Sequence, residues 1–438
     1  MAYAIDLFCG AGGMSEGILQ ADFNILFSSD INESVEKTYV NRHKQLGLRQ
    51  GIETYYYRAD IKDLTGEIIY DKVSKLKIFE GRSIPHIDAI FGGPPCQGFS
   101  RAGRRNCDDP RNVLFREYLR VINEVQPSYV VLENVVGISD TRLPEYKGVT
   151  GVQYENGFTV PEILKKEFKL IGYDMLKPHV LNAADFGVPQ RRNRFITIAH
   201  KEGTKEPTYP KPTHQEKDIV TVKEAIGDLI RDKNIKKRIN PSLTEYQLMS
   251  KNGRTPDKDG NPLTNNKIKN SETSKHLPII VERFSLYREG EDGKKLKQRI
   301  ITEGLDLSDK PHLTDYLTDN TPFSREEILQ SFKNGEVNDE ILQLLLTKKN
   351  IRTRLDRNKP SPTIMTIPDD YISPFEDRIF TVRESARIQS FDDSFEFLGK
   401  RTTGGMRRRV EVPQYSQVGN AVPPLLAKAI ASEILKVI

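Results

Sequence analysis

Between residues 3 and 199 the chain repeats one pattern: a short apolar run, a turn, then a polar stretch whose apolar residues recur at helical spacing. Such alternation commits a chain to a largely parallel sheet, because a helix is the short route that returns the next strand in the same direction. Residues 3–8, 24–29, 54–58, 87–91, 128–132 and 194–199 read as strands, and 33–43 and 113–125 as helices, the latter stopped by Pro127. Beyond Lys201 the alternation ends. Pro207, Pro210 and Pro212 mark a linker, and a polar, Asn/Lys-rich region follows with short isolated helices such as 325–332. The tail changes again, with a short helix at 383–390 and an apolar helix at 423–438 that suits the first region better than the middle one. The expected plan is a sheet domain over 1–203, a separate domain over 204–369, and a segment, 370–438, that returns to complete the first.

The length supports more than one core, since 438 residues exceed what a single one usually holds. No apolar run approaches the roughly 18 residues that span a bilayer, and the N-terminus has an acid at Asp6 but no basic leader, so neither a membrane span nor a signal peptide is expected. Cys9, Cys96 and Cys107 lack zinc-site spacing and cannot build a disulfide framework, which points to a reducing cytoplasm. The net charge of +5 is unevenly placed: residues 231–300 hold 17 Lys/Arg against 9 Asp/Glu. A basic segment of this kind suits a polyanion and equally suits a solvated face.

Four stretches carry chemistry. The first strand runs into Asp6-Leu7-Phe8-Cys9-Gly10-Ala11-Gly12-Gly13, a glycine-rich turn that lets backbone amides approach a nucleotide. Asp30, about 20 residues on, stands where a carboxylate grips ribose hydroxyls, and Asp60 could accept from an adenine amino group. Ser15 occupies the last glycine position of the dinucleotide fingerprint, so a mononucleoside-like cofactor fits better than a nicotinamide or flavin. The second stretch, Gly92-Gly93-Pro94-Pro95-Cys96-Gln97, presents a thiol on a stiffened turn at the carboxyl end of a strand, the geometry a nucleophile needs. A lone cysteine is more often a small buried hydrophobe, but the composition of this turn argues otherwise. The third is Glu133-Asn134-Val135, a carboxylate costly to bury without a partner. In the fourth, Gln190 to Arg194, alternate arginines suit phosphates or base edges.

With these motifs the chain resembles the DNA (cytosine-5)-methyltransferase family, most closely its bacterial restriction–modification members. The resemblance rests on DLFCGAGG (6–13), GGPPCQGFS (92–100), ENV (133–135), QRRNR (190–194), RESARIQSF (383–391) and GNAVPP (419–424), in the family's order. It implies an S-adenosylmethionine-dependent, Rossmann-like α/β sheet with helices on both faces and a smaller, irregular target-recognition domain. It also implies that Phe8, Gly10, Gly12, Asp30, Ile31, Asp60, Ile61, Pro95, Asn420 and Val422 hold S-adenosylmethionine, without a metal. By the same resemblance Cys96 is the nucleophile, Glu133 the pocket acid, and Arg192 and Arg194 fix a flipped cytosine in double-stranded DNA. Asn420, at the entry to the last helix, closes the cofactor site, and 276–293, with Arg283, Arg288 and Gly290, matches the partly shared portion of the recognition domain. Many relatives carry Trp where Ile31 stands, and this chain has no Trp. Asp392 after Phe391, and Ser373 before Pro374, also depart from the usual pattern.

The implied protein is a cytoplasmic bacterial monomer acting on DNA beside a separate cognate restriction endonuclease. One branch of the family methylates transfer RNA with much the same motifs; the long middle region favours DNA. A silent DNA-binding homologue is opposed by intact Cys96, Glu133 and Arg192. An adenine-N6 enzyme would carry an aromatic residue where Cys96 stands.

Overall fold

In the computed structural model, residues 1–95, 114–264, 267–347, 352–403, 407 and 411–438 are described. The first half contains β1 (Ala2–Leu7), α1 (Gly13–Gln20), β2 (Phe23–Asp30), α2 (Glu33–Gln45), β3 (Tyr55–Arg58), α3 (Gly66–Ser74) and β4 (Ala89–Gly92). It continues with α4 (Leu114–Val125), β5 (Tyr129–Val135), β6 (Tyr146–Lys147), β7 (Gln153–Tyr154), α5 (Val160–Leu170), β8 (Tyr173–Met175), β9 (His179–Asn182) and β10 (Asn193–Lys201). Among the described residues the main sheet has the order β3-β2-β1-β4-β5-β10-β8, with β9 also on β10. The pairs among β1 to β5 are parallel, and β10 runs antiparallel to β5, β8 and β9.

Successive strand residues face opposite sides, and both sides are covered. Ile5, Leu7, Val130 and Leu132 pack with residues of α3, α4 and α5, whereas Ala2, Ala4, Tyr129 and Val131 pack with α1 and the C-terminal helix. Burial on both faces explains why the central strands read as nearly unbroken apolar runs. Helix starts follow their caps: Asn32 accepts from the Ser34 amide before α2, and Thr159 and Glu162 form a capping box before α5.

The second half is helical. It comprises α6 (Val222–Ile226), α7 (Lys233–Ile239), α8 (Glu245–Asn252), α9 (Pro278–Ser285), α10 (Gly293–Glu303), α11 (Pro311–Asp319), α12 (Arg325–Asn334) and α13 (Asp339–Leu346). A two-stranded pair, β11 (Thr353–Arg354) and β12 (Tyr371–Ile372), precedes α14 (Val382–Ile388), α15 (Gln414–Asn420) and α16 (Pro424–Leu435). The short helices of the middle region are not isolated. Phe284, Leu296, Leu313, Phe332 and Leu345, from α9 to α13, share one core with Ile372 and Ile379. Residues of α6, α7 and α8 instead pack with Leu355, Phe380, Phe391 and Tyr415, so 204–369 contributes to two cores. Among the described residues no helix is long and apolar enough to cross a membrane.

A buried charge network ties these parts together. Arg42 on α2 donates to both carboxylate oxygens of Glu16 on α1 at 2.8 Å, and to Ser394 at 3.1 Å. Thr255 donates its hydroxyl to Glu16 at 2.6 Å and its amide to Asp392 at 3.0 Å; Arg254 pairs with Asp392 at 2.8 Å. Glu16→Ala would leave Arg42 buried without its carboxylate, at a cost of about 3–5 kcal/mol. Urea unfolding at neutral pH reads that loss, and a change below about 1 kcal/mol would mean solvent reaches the pair.

Candidate active site

The turn after β1 is bent by a non-glycine residue with positive φ, Phe8 at 57°, followed by Gly10 at 52° and Gly12 at 99°. A phenylalanine held there is strained; its ring lies 6.4 Å from that of Tyr118. The Gly10 amide donates to Asp30 Oδ2 at 3.1 Å and the Asn32 amide to Asp30 Oδ1 at 2.9 Å, fixing the carboxylate at the end of β2. Burial pushes the Asp30 carboxyl up, partly offset by those two amides. A side chain on Gly10 would meet no atom within 4 Å, so the space above the turn is open. Gly12 does a different job: it starts α1, and a Cβ there would lie 3.1 Å from the Tyr39 ring.

The turn after β4 is held from three sides. Tyr118 donates its hydroxyl to the carbonyls of Ile90 and Val131, and its ring fills the space a Gly92 side chain would need. Asn134 donates from Nδ2 to the Pro94 carbonyl at 2.9 Å, binding the end of β5 to the proline turn. A Cβ on Gly93 would come within 3.1 Å of Glu133 Oε2, so glycine there leaves the carboxylate clear. Cys96, next after Pro95, lies outside the described residues, as does Cys107.

Glu133 is 9% exposed and takes a 2.7 Å ion pair from Arg194 Nε through Oε1. Register explains the meeting: Ile196 of β10 sits opposite Glu133, and Arg194 is two residues away on the same face. Arg192 does not contact Glu133. Its guanidinium is buried and donates to the carbonyls of Ile364 at 3.4 Å and Gly419 at 3.0 Å. Burial, then the Arg194 charge, lower its basicity. Arg192 thus anchors two distant segments to the sheet, whereas Arg194 holds the acid.

These pieces surround one cavity of about 970 Å³. Its wall includes Phe8, Gly10, Asp30, Ile31, Asp60, Ile61, Pro95, Glu133, Arg192, Arg194, Asn420 and Val422. Gly12 stands off that wall and Cys96 is not described, so the structure brings together the other twelve of the fourteen expected residues. Ile31 is 62% exposed, an aliphatic face turned outward. Asp60 Oδ1 accepts from the Lys62 amide at 3.0 Å. Asn420 ends α15 rather than starting the last helix. The cavity also takes in Asp6, the first residue of the glycine-rich motif, together with Thr363 to Thr366 and Gln417, which lie outside the motifs. Cys9 lines it too, but burial, then Asp6 and Asp30, push its thiol well up, so it is no thiolate.

In the middle region Arg283 is spent on structure, donating to the carbonyls of Leu345 and Leu344 and lying over the Tyr316 ring. Arg288 pairs with Glu303 at 3.1 Å, and Gly290 takes φ 72° in a turn whose amide donates to Arg354.

Arg192→Met removes two charge-assisted hydrogen bonds and leaves buried carbonyls at Ile364 and Gly419. Stability should fall by about 1.5–3 kcal/mol. Amide exchange should quicken in 361–366 and 417–422, while Arg194→Met leaves both stretches protected. Equal exchange in the two variants would remove Arg192 from its anchoring role.

The sequence model of the C-5 cytosine-specific DNA methylase family matches residues 3–436. The chain is 31% identical over 435 residues to the type II methyltransferase M.DdeI of Desulfomicrobium norvegicum, covering 98% of this chain and 88% of that protein. It is 33% identical over 438 residues to M1.HphI of Haemophilus parahaemolyticus, covering 99% and 86%. A crystal structure described as a DNA modification methyltransferase encoded within a prophage of E. coli superposes with a TM-score of 0.62 at 24% identity, covering 100% of this chain and 99% of that one. At that identity the likeness is one of fold. With the family match running nearly end to end, the chain belongs to the C-5 cytosine-specific DNA methylase family and is a DNA (cytosine-5)-methyltransferase.

Proposed function

We propose that the chain takes the methyl group from S-adenosylmethionine and transfers it to carbon 5 of a cytosine flipped out of duplex DNA, through a covalent bond from Cys96 to carbon 6. The observation that carries this reading is the single cavity in which the Asp30 end and the Glu133–Arg194 pair share a wall with Pro95. Two ligands bound there would meet beside the thiol-bearing turn.

The residues at the first end fit a sulfonium nucleoside. Asp30 has its carboxylate oriented for a ribose diol, Gly10 leaves room for a ligand to approach the backbone, and exposed Ile31 offers an apolar face for adenine. When bound, S-adenosylmethionine supplies a methyl group on positively charged sulfur. Asp60 and Ile61 complete the adenine side, and Asn420 and Val422 close the site from the C-terminal segment.

At the other end the chain's own groups act on the base. A stacked cytosine cannot reach the turn, so it must be unstacked and swung into the pocket. The Cys96 thiolate adds to carbon 6, and the displaced electron pair makes carbon 5 nucleophilic. Glu133 shares a proton with ring nitrogen 3 and offsets the charge that builds during attack, while Arg194 keeps its carboxylate in place. After methylation, loss of the carbon 5 proton to a base restores the double bond and expels the Cys96 sulfur.

Residues 204–369 read the target sequence, with phosphate contacts adding salt-sensitive affinity. Of the lysines on α10, Lys297 is paired with Asp339 at 2.9 Å and Lys295 donates to the Gly290 carbonyl at 3.1 Å. Among the described residues Lys294 is therefore the freer of the three. The protein works as a cytoplasmic monomer, and its marks protect DNA from a cognate restriction endonuclease acting separately.

Bisulfite sequencing of DNA from cells expressing the protein tests activity and target together. In vitro, a duplex with 5-fluorocytosine at the target should become covalently attached to the wild type, because fluorine cannot leave as a proton does. Cys96→Ser should neither attach nor methylate; attachment through another residue would overturn the assignment. Asp30→Ala should weaken S-adenosylmethionine binding by about 1.5–3 kcal/mol, the loss of a charge-assisted hydrogen bond. Calorimetry on DNA-free protein measures it, and unchanged affinity would exclude Asp30 from the cofactor site.

A further inference from the structure

The basic surplus of residues 231–300 is unevenly available in the folded chain. Much of it is spent: Lys251 on Asp228, Arg254 on Asp392, Arg283 on the Leu345 carbonyl, Arg288 on Glu303, Lys297 on Asp339 and Arg299 on Glu291. The helix α7 differs. Lys233, Lys237 and Arg238 are exposed and Lys236 is half-buried, and none of these four side chains has an acid or carbonyl partner among the described residues. The acids nearest in sequence are otherwise engaged. Asp232 accepts from the Asn234 and Ile235 amides, Asp228 is buried against Arg387, and Glu224 caps α6.

Helix stability alone does not account for these charges. Cations in the last turn suit the negative end of a helix, which explains Lys236, Lys237 and Arg238. Lys233 stands in the first turn, where the same field opposes it. It also shares a face with Lys236 and Lys237, three and four residues on, and like charges so spaced destabilise a helix. A face that works against its own helix and meets no acid within the chain is matched by an anion from outside.

The helix is firmly held, and close to the cavity. Ile235 and Ile239 pack into the core that contains Ile364, a residue of the cavity wall. Asn240 and Gln247 on α8 exchange two hydrogen bonds, at 3.2 and 3.1 Å. At the start of α6 the Val222 and Lys223 amides donate to the Lys359 and Arg357 carbonyls, both at 2.9 Å. Lys359 in turn lines a groove that shares Arg191, Thr363 and Met365 with the cavity. From Val222 to Lys233, with α6 helical, the chain spans at most roughly 30 Å, less than one turn of duplex at about 34 Å.

We propose that the outer face of α7 grips the phosphates of duplex DNA beside the target, about one helical turn from the base in the cavity. The inference rests on the duplex-DNA reading above and places its electrostatic contribution on α7. Side chains without a fixed partner can each take a phosphate and give up no bond within the protein. Contacts of this kind hold every sequence alike. The helix therefore adds attraction and orientation, and discrimination is left to the rest of residues 204–369.

Lysine acylation of the full wild-type chain, read by mass spectrometry with and without a duplex extending several turns to each side of the target, tests the contact. Lys233 and Lys237 should lose most of their reactivity when the duplex is bound. Lys169, paired with Asp174 and Glu202 at the end of β10 remote from the cavity, should keep its own. A triple variant, Lys233→Gln with Lys237→Gln and Arg238→Gln, should flatten the slope of log affinity against log salt by about 2.7, three contacts at about 0.9 each. The loss should be the same on duplexes with and without the target. Undiminished reactivity of Lys233 and Lys237, an unchanged slope, or a loss confined to the target-bearing duplex would overturn the proposal. The acylation pattern decides the matter even if the variant does not fold. If the wild type binds no duplex, the DNA reading itself fails; if it binds and methylates the duplex while both lysines stay reactive, only the role of α7 does.

Discussion

α16 and the residues just before it approach α1 so closely that no side chain fits between them at two points. A Cβ on Gly17 would lie 2.5 Å from the Lys428 amide nitrogen and the Pro424 carbonyl, and one on Gly13 would be 2.9 Å from the Ala421 Cβ. The helix that follows the first strand is thus sealed against the last helix of the chain. The cavity depends on this contact. Phe8 and Gly10 form one side of it and Asn420 and Val422 another, so the wall is incomplete until the C-terminal segment has packed. Between Lys201 and the tail, α9 to α13 pack into a core of their own with Ile372 and Ile379, whereas Arg254 and Thr255 join the Glu16 network and Thr363 to Thr366 line the cavity. The chain comes back beside β10, where the Arg191 amide donates to Ser361 at 2.8 Å and the Ser361 amide to Pro189 at 2.9 Å.

Sheet order then decides where the cavity opens. β1 lies between β2 and β4, and the chain turns from building one half of the sheet to building the other at the β1/β4 boundary. Loops leaving the carboxyl ends of such a pair diverge and leave a crevice. Here those loops are the glycine-rich turn and the proline turn. Asp6 and Asp30 bring acid to one side of the crevice, and Glu133 is already compensated by Arg194 on the other. A positively charged ligand is therefore better matched to the first side than to the second.

The parts of this architecture that were legible in the sequence are those with burial on both sides. β1, β2, β4 and β5 announce themselves because each holds an unbroken apolar run of three or four residues, and expected and observed strands differ by one to three residues at their ends. The edge strands β8 and β9 escape notice, being three and four residues long with exposed positions. The core of α9 to α13 is hidden for another reason. Each helix has eight to eleven residues and contributes only a few apolar ones, and nothing local says that five such helices converge. Motifs located most of the cavity wall, but not the anchoring by Arg192, whose acceptors at Ile364 and Gly419 lie 172 and 227 residues away.

The one reversal of strand direction has a trace in motif order. Glu133 lies near the carboxyl end of β5, where parallel strands deliver functional groups. Arg192 and Arg194 come at the start of β10, which in a parallel strand would place them at the far edge of the sheet. Because β10 is antiparallel, its beginning lies beside the end of β5, with Arg194 opposite Val135. An acid late in one strand and a base early in the next can meet only if the second strand runs back along the first. Arg194 reaches Glu133 from the adjacent strand, with its own backbone held in the ladder. The Glu133–Arg194 ion pair is thus a product of strand polarity, and a helix crossover restoring parallel pairing there would separate its members by the length of the strand.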